Sequence, residues 1–197
     1  MGGVSRDWLE AGRRIRGARA SKAEKLDLSR LNIKAVPVSV ARLVRVSIVR
    51  LGYCFNLVDL TALEQLPALQ ELDLSWCKAL NDLSSLASLT TLQSLDLSKC
   101  RALSNLSPLA LLTTLQSLDL RGCDALSDLS PLASLTTLQS LDLRGCDALS
   151  DLSPLASLTA LQSLDLGGCD ALSDLSPLVV KSRLVINALL EQFRFFL

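Results

Sequence analysis

A unit of 23 residues recurs along this chain without a change of register. Residues 115–137 read LQSLDLRGCDALSDLSPLASLTT, and residues 138–160 repeat them with one difference at the last position. Steps of the same length in both directions define seven units, which begin at Ala23, Val46, Leu69, Leu92, Leu115, Leu138 and Leu161. A fixed period of this size predicts a solenoid, in which each unit contacts only its neighbours and the stack presents a long open surface.

Within one unit, apolar residues occupy positions 1, 4, 6, 9, 12, 15, 18 and 21, counted from its first residue. The alternation of Leu118 and Leu120 around Asp119 predicts a strand of a few residues. The remaining apolar residues are spaced by three, which suits a 3₁₀ turn better than a long α-helix. We expect Ser130 to cap this turn and Pro131 to occupy its first position, where a missing N–H costs nothing.

These residues carry a resemblance to a known family. The pattern L-x-x-L-x-L-x-x-[N/C]-x-L is that of leucine-rich repeats, and LSDLSPLASLTT resembles the repeats of bacterial internalins. The resemblance covers about residues 23–178. It implies an α/β solenoid, a curved stack with a parallel β-sheet on the concave face and short turns or 3₁₀ segments on the convex face. Cys at position 9, in place of Asn, departs from the internalin form.

The two ends of the stack need caps, because a terminal repeat would otherwise expose leucine. Residues 1–22 are expected to form an N-terminal helical cap, in which Ser5–Ala20 closes the first strand with Trp8, Leu9 and Ile15. The seven repeats then fill 23–178. The apolar segment 179–197 is compatible with a capping helix, a dimer seam or the end of a truncated gene, and self-association through it is a further expectation.

All six cysteines stand at position 9 of consecutive repeats, namely Cys54, Cys77, Cys100, Cys123, Cys146 and Cys169. A line of thiols spaced by one repeat does not converge on a point, as the ligands of a zinc site do. Neighbouring parallel side chains also face the wrong way for a disulfide. We therefore expect buried structural thiols, which agrees with a reducing compartment.

Position 5 of the predicted strands forms an acidic column on the concave face. Arg50 interrupts the column, which consists of Asp27, Asp73, Asp96, Asp119, Asp142 and Asp165. Neighbouring carboxylates repel one another, and Arg121 and Arg144 soften that repulsion. The column is compatible with a solvated face, with a surface for a basic partner in which Asp96, Asp119, Asp142 and Asp165 take part, and with a calcium ladder that no loop spacing supports.

Positions 8 and 10 form a different surface, at the edge of the loops. The early repeats place aromatic and basic residues there, in adjacent pairs: Tyr53 and Phe55, Trp76 and Lys78, Lys99 and Arg101. Later repeats have Gly and Asp at the same positions. Aromatic and basic residues often dominate binding interfaces, so these six are the candidate partner-binding residues. The alternative is that the rings fold back over the sheet edge as packing.

Composition narrows the function. Histidine is absent and no phosphate-binding glycine motif occurs, so we expect no enzyme and no cofactor. Residues 1–50 carry 12 Lys or Arg against 4 Asp or Glu, whereas the remainder is acidic. We expect a cytoplasmic protein-interaction scaffold whose partner is another protein, with no small-molecule substrate. The alternative is a binder of nucleic acid or of an anionic membrane through the basic N-terminal segment.

Overall fold

The computed structural model describes residues 5–178 and 185–187. Eight short parallel strands form one sheet in the order of the chain. They are β1 (Lys25–Asp27), β2 (Ile48–Arg50), β3 (Glu71–Asp73), β4 (Ser94–Asp96), β5 (Ser117–Asp119), β6 (Ser140–Asp142), β7 (Ser163–Asp165) and β8 (Val185–Asn187). Neighbouring strands pair at an offset of 23 residues up to β7, and at 22 between β7 and β8. The expected repeat solenoid is confirmed.

Seven 3₁₀ turns form the opposite layer of the stack in the part of the chain that the structure describes. They span Val38–Arg42, Thr61–Gln65, Ser84–Leu86, Ser107–Leu111, Ser130–Ser134, Ser153–Ser157 and Ser176–Leu178. The predicted serine cap is wrong, because Leu129 is the cap residue and Ser130 is already the first residue inside its turn. The free N–H of Ser130 donates to Oδ1 of Asp128 at 2.8 Å. A carboxylate two residues earlier therefore starts the turn.

One continuous core runs through the stack between these two layers. In the unit that starts at Leu115, all eight predicted apolar positions are at most 1% exposed. The middle residue of every strand from β1 to β7 also points into the core. Because each unit buries these residues against the next unit, the core extends along the stack rather than around a centre.

The six cysteines lie in this core as free thiols. Each Sγ donates a hydrogen bond to a backbone carbonyl of the preceding repeat, as Cys123 does to Leu97 at 3.3 Å. Burial raises the pKa of every one of these thiols, and brings that of Cys77 and of Cys123 to about 12. Position 9 therefore forms a hydrogen bond between neighbouring repeats.

A helix, α1 (Arg6–Ser21), covers the first repeat. Oγ of Ser5 accepts the N–H of Trp8 at 3.2 Å, and Ala11 and Ile15 are buried. The expectation that Trp8 and Leu9 help to close the stack is wrong, because these side chains are 40% and 62% exposed. One helical face can meet the repeat, and Ala11 and Ile15, four residues apart, are on that face.

No helix among the described residues has the length and apolar character needed to cross a membrane. Most of the predicted C-terminal segment 179–197 lies outside the described residues, apart from the backbone of β8.

The aspartate that ends β1, and the one that ends each strand from β3 to β7, accepts a hydrogen bond from the backbone N–H two residues later. Oδ1 of Asp96 accepts from Ser98 at 2.8 Å, and the Asp96 carboxylate is half-buried. Its pKa is raised, first because burial disfavours the charged form, and also because Asp119 and Asp73 stand on the neighbouring strands. These two causes outweigh the hydrogen bonds from Ser98. The aspartates of the acidic column therefore help to form the turns that follow the strands. At Asp96 the charged form is disfavoured, so this residue lowers the free energy of unfolding at neutral pH.

Removal of one whole unit tests the stacked architecture. A chain that lacks residues 138–160 should fold with a melting temperature within ~10 °C of the parent, because each repeat contacts only its neighbours. A chain that lacks residues 138–148 should lose its cooperative transition, because half a unit would place a strand against a turn. Thermal melting followed by circular dichroism compares the two, and equal damage would contradict the repeat model.

The thiols offer a second test. All six should react slowly with a thiol reagent at pH 8 in the native state and rapidly in denaturant, because the thiolate is the reactive form. Cys123→Ser keeps a donor to Leu97 and should cost no more than about 1–2 kcal/mol. Cys123→Asp places a charge in the core and should cost several kcal/mol. Fast native labelling of most thiols would show that position 9 does not face inward.

Asp96→Asn should stabilise the fold at pH 7, since asparagine keeps the acceptor oxygen and removes the charge. The folded pKa of Asp96 is raised, so the folded chain binds more protons than the unfolded chain between the two pKa values. The contribution of this group to the free energy of unfolding therefore falls as pH rises through the folded pKa. The advantage of the variant should shrink as pH is lowered below the unfolded value.

The matched control for this variant is Asp142→Asn, which removes a carboxylate that contacts two arginines. It should be neutral or destabilising at pH 7. Urea unfolding between pH 3 and pH 7 measures both variants. A gain for Asp142→Asn equal to that for Asp96→Asn would contradict the assignment of the cost to Asp96.

Candidate functional site

Three aromatic side chains from two adjacent repeats meet at the loop edge that follows β2 and β3. The rings of Tyr53 and Trp76 stack with their centroids 5.6 Å apart and an interplanar angle of 9°. Phe55 meets Tyr53 edge to face at 6.2 Å. Tyr53 and Phe55 are 40% and 47% exposed, so the cluster forms an apolar surface and is not core. Position 8 and position 10 of neighbouring repeats thus come together as predicted.

Two cations lie over these rings. The guanidinium carbon of Arg30 lies 5.1 Å from the centroid of Tyr53. Nζ of Lys78 lies 5.4 Å from the centroid of Trp76 and 5.2 Å from that of Phe55. These five residues, Arg30, Tyr53, Phe55, Trp76 and Lys78, are called here the aromatic patch, in which cation–π contacts adjoin ring–ring contacts. Each of the three rings thus contacts both another ring and a cation.

Sequence reasoning missed Arg30 as a member of the aromatic patch. The signal was present, because Arg30 stands at position 8 of the first repeat, in the same column as Tyr53 and Trp76. Position 9 of this repeat is Leu31 and not Cys, so the repeat looked atypical in that region.

Lys99 and Arg101 extend the patch without joining the rings. The Lys99 side chain lies over Gly122: a Cβ added to this glycine would be 2.6 Å from Cδ of Lys99. Nε of Arg101 is 3.2 Å from Oδ2 of Asp124 in the next repeat. Both side chains therefore point along the stack toward the glycine-containing repeats.

Position 8 requires a left-handed backbone in every repeat. The φ angle there is 64° at Arg30, 63° at Tyr53 and 61° at both Trp76 and Lys99. The later repeats satisfy the same geometry with glycine, at 61–71°. A bulky residue in this conformation costs of order 1 kcal/mol relative to its relaxed state, whereas glycine adopts it freely. The early repeats thus retain side chains at a position where the fold favours glycine.

The acidic column of the strand face is largely neutralised in its second half. Arg121 contacts Asp119 at 2.7 Å and Asp142 at 3.4 Å. Arg144 contacts Asp142 at 2.7 Å and Asp165 at 3.4 Å. The predicted candidates Asp119, Asp142 and Asp165 therefore lie in a ladder of ion pairs.

In the described part of the chain, Asp73 and Asp96 have no such cation within ion-pair distance. These two carboxylates line a shallow hollow on the strand face together with Arg30 and Tyr53. Arg30, Tyr53 and Phe55 also line a second hollow on the loop edge. The aromatic patch is thus continuous with the acidic part of the strand face. No group of three or more metal-ligating side chains occurs among the residues that the structure describes.

Comparison with known proteins agrees with this architecture. Residues 113–157 and 136–179 match a family described as leucine rich repeats (2 copies), and residues 88–105 match the single leucine rich repeat. A search of curated protein sequences finds no match.

Solved structures of the same fold are similar over most of the chain. Internalin C2 from Listeria monocytogenes is 24% identical with a TM-score of 0.67, over 90% of this chain and 92% of that one. The leucine-rich repeat domain of the type III effector XopL is 28% identical with a TM-score of 0.70, over 88% of this chain and 63% of that one. Residues 88–105 and 113–179 are therefore leucine-rich repeats, and the chain shares the solenoid fold of solved leucine-rich repeat proteins.

Proposed function

We propose that the chain is a non-enzymatic interaction scaffold and that a protein partner binds the aromatic patch and the adjoining strand face. One observation carries the proposal: Tyr53 and Trp76 hold large side chains at left-handed positions where three later repeats have glycine. Such strain persists at sites where the side chain serves a purpose that the fold does not need. Exposed Tyr, Trp and Arg are also the side chains that most often dominate protein interfaces.

The arrangement of the rings favours a protein over a single-stranded nucleic acid. Nucleic-acid bases bind aromatic side chains by stacking on their faces. Here Tyr53 and Trp76 already stack on each other. Arg30 also lies over Tyr53, and Lys78 lies over Trp76 and Phe55, so each ring already has a partner within the chain. Part of the positive charge of the basic N-terminal segment is also neutralised within α1, since Glu10 pairs with two of its arginines. We therefore favour the protein partner over the nucleic-acid and membrane alternatives.

Charge preference is proposed to come from Asp96 and Asp73. Lone carboxylates on a surface steer an approaching partner, whereas paired ones present little net field. Asp119, Asp142 and Asp165 share two arginines and would contribute less than a bare column. The partner surface would then be basic opposite the strand face. Six buried free thiols suit a reducing compartment, and we place the scaffold in the cytoplasm on that ground.

Trp76→Gly separates binding from folding. Glycine relieves the left-handed backbone at position 8 and offsets part of the lost ring packing, so the melting temperature should change by only a few degrees. Loss of a central aromatic side chain should weaken partner binding by ~2 kcal/mol, about thirtyfold. Wild-type and variant chains, immobilised at equal density, would capture proteins from cells that encode the chain, with quantitative mass spectrometry as the measurement.

Leu111→Ala is the matched control, because Leu111 is 61% exposed on the 3₁₀ layer, away from the patch. It should capture the same protein as the wild type. The proposal is wrong if no captured protein distinguishes Trp76→Gly from Leu111→Ala. A Trp76→Gly chain that melts far lower yet binds normally would assign the ring to packing.

A further inference from the structure

The loop edge carries opposite properties in its two halves. At position 8 the early repeats have large side chains, and the last three have Gly122, Gly145 and Gly168. At position 10 the third and fourth repeats have the cations Lys78 and Arg101. The later repeats have carboxylates there, at Asp124, Asp147 and Asp170. One half of the edge is thus raised and basic, and the other is recessed and acidic.

We infer that the loop edge binds a second copy of the chain, in an antiparallel dimer with a two-fold axis between the repeats of β4 and β5. This inference rests on the proposed function, since it names the partner of the same aromatic patch. A two-fold axis requires one self-complementary surface, and the edge satisfies this requirement because its two halves are complementary in shape and charge.

The repeat period makes the two columns match in register. Both copies space their repeats by about 4.8 Å, so an antiparallel arrangement keeps every pair aligned. The axis runs from the strand face to the 3₁₀ layer, so position 8 faces position 8 and position 10 faces position 10. The facing pairs are Lys99 with Gly122, Trp76 with Gly145, Tyr53 with Gly168, Arg101 with Asp124, Lys78 with Asp147, and Phe55 with Asp170. Each large residue meets a glycine, and each position-10 cation meets a carboxylate.

One pair of this kind already exists within a single chain. Arg101 contacts Asp124 at 3.2 Å across the boundary where the basic half meets the acidic half. Lys99 likewise lies over Gly122 in the same molecule. The dimer extends this contact outward from the axis, to Lys78 with Asp147 and to Trp76 with Gly145. A Cβ added at Gly145 or Gly168 would lie 3.8–4.0 Å from the preceding glycine and closer to nothing else, so these two positions offer open backbone to a ring of the second copy, whereas Lys99 covers Gly122.

The proposed contact is small. Six repeats at about 4.8 Å give an edge of roughly 30 Å, which buries on the order of several hundred Å² per copy. Stable complexes bury about 800 Å² on each side. The dimer is therefore expected to be weak, with a Kd on the order of micromolar, and to weaken further in high salt because its charge pairs lie at the surface.

Charge reversal tests the pairing directly. Sedimentation equilibrium of the full chain, over a wide concentration range in low salt, should show a monomer–dimer equilibrium. Lys78→Asp and Asp147→Lys should each weaken self-association at least about tenfold, because each creates two like-charge contacts per dimer. An equal mixture of the two variants should dimerise as well as the wild type, since both contacts in the mixed dimer again join opposite charges. The double variant in one chain should recover in the same way.

Glu64→Lys is the control, because it reverses an exposed carboxylate on the 3₁₀ layer and should leave self-association unchanged. A wild-type chain that stays monomeric throughout would overturn the inference. A dimer that is indifferent to both reversals, or that the mixture does not restore, would overturn it as well, because the seam would lie elsewhere. Capture of a different protein that depends on Trp76 would in those cases leave the proposed function standing.

Discussion

The contact between neighbouring repeats is the interaction on which the rest of the structure depends. Every buried leucine column packs against the next unit, and the polar contacts follow the same rule. Thiols donate to a carbonyl of the preceding repeat, and the hydroxyl of Thr137 donates to the carbonyl of Thr113 there. A single repeat would leave these groups unpaired and its leucines in water. The structure of each unit is therefore stabilised by its neighbours. The residues at the loop edge take little part in these contacts, so their identity can differ from repeat to repeat.

The repeat period was enough to predict the strands, their register and the buried positions, because every unit experiences nearly the same surroundings. The details that failed are those in which neighbouring residues compete for one role. Ser130 was expected to cap its turn, yet the turn starts one residue earlier and Asp128 accepts the N–H of Ser130. Trp8 and Leu9 are apolar but stand on the wrong side of α1.

The candidate site was predictable in place but not in arrangement. Alignment of the units shows aromatic residues where later repeats have glycine, so the columns of Tyr53 and Phe55 could be found from the sequence. That Arg30 and Lys78 lie over the rings depends on side-chain rotamers across repeats. The sharing of Arg121 between Asp119 and Asp142 depends on the same kind of detail. A periodic pattern contains no information about either, since it treats each unit separately.

The near-identity of 115–137 and 138–160 has a consequence for how the chain finds its register. β4 would meet the same inward leucines and the same thiol if it paired with β6 in place of β5. Such a skipped unit loses one interface and closes a loop of about 23 residues, whose entropic cost grows only slowly with length. The nearly identical units therefore do not specify their own order. The N-terminal repeats differ from one another and do specify theirs. A stack that grows from α1 toward the C-terminus adds each unit in sequence and so avoids the misaligned pairing.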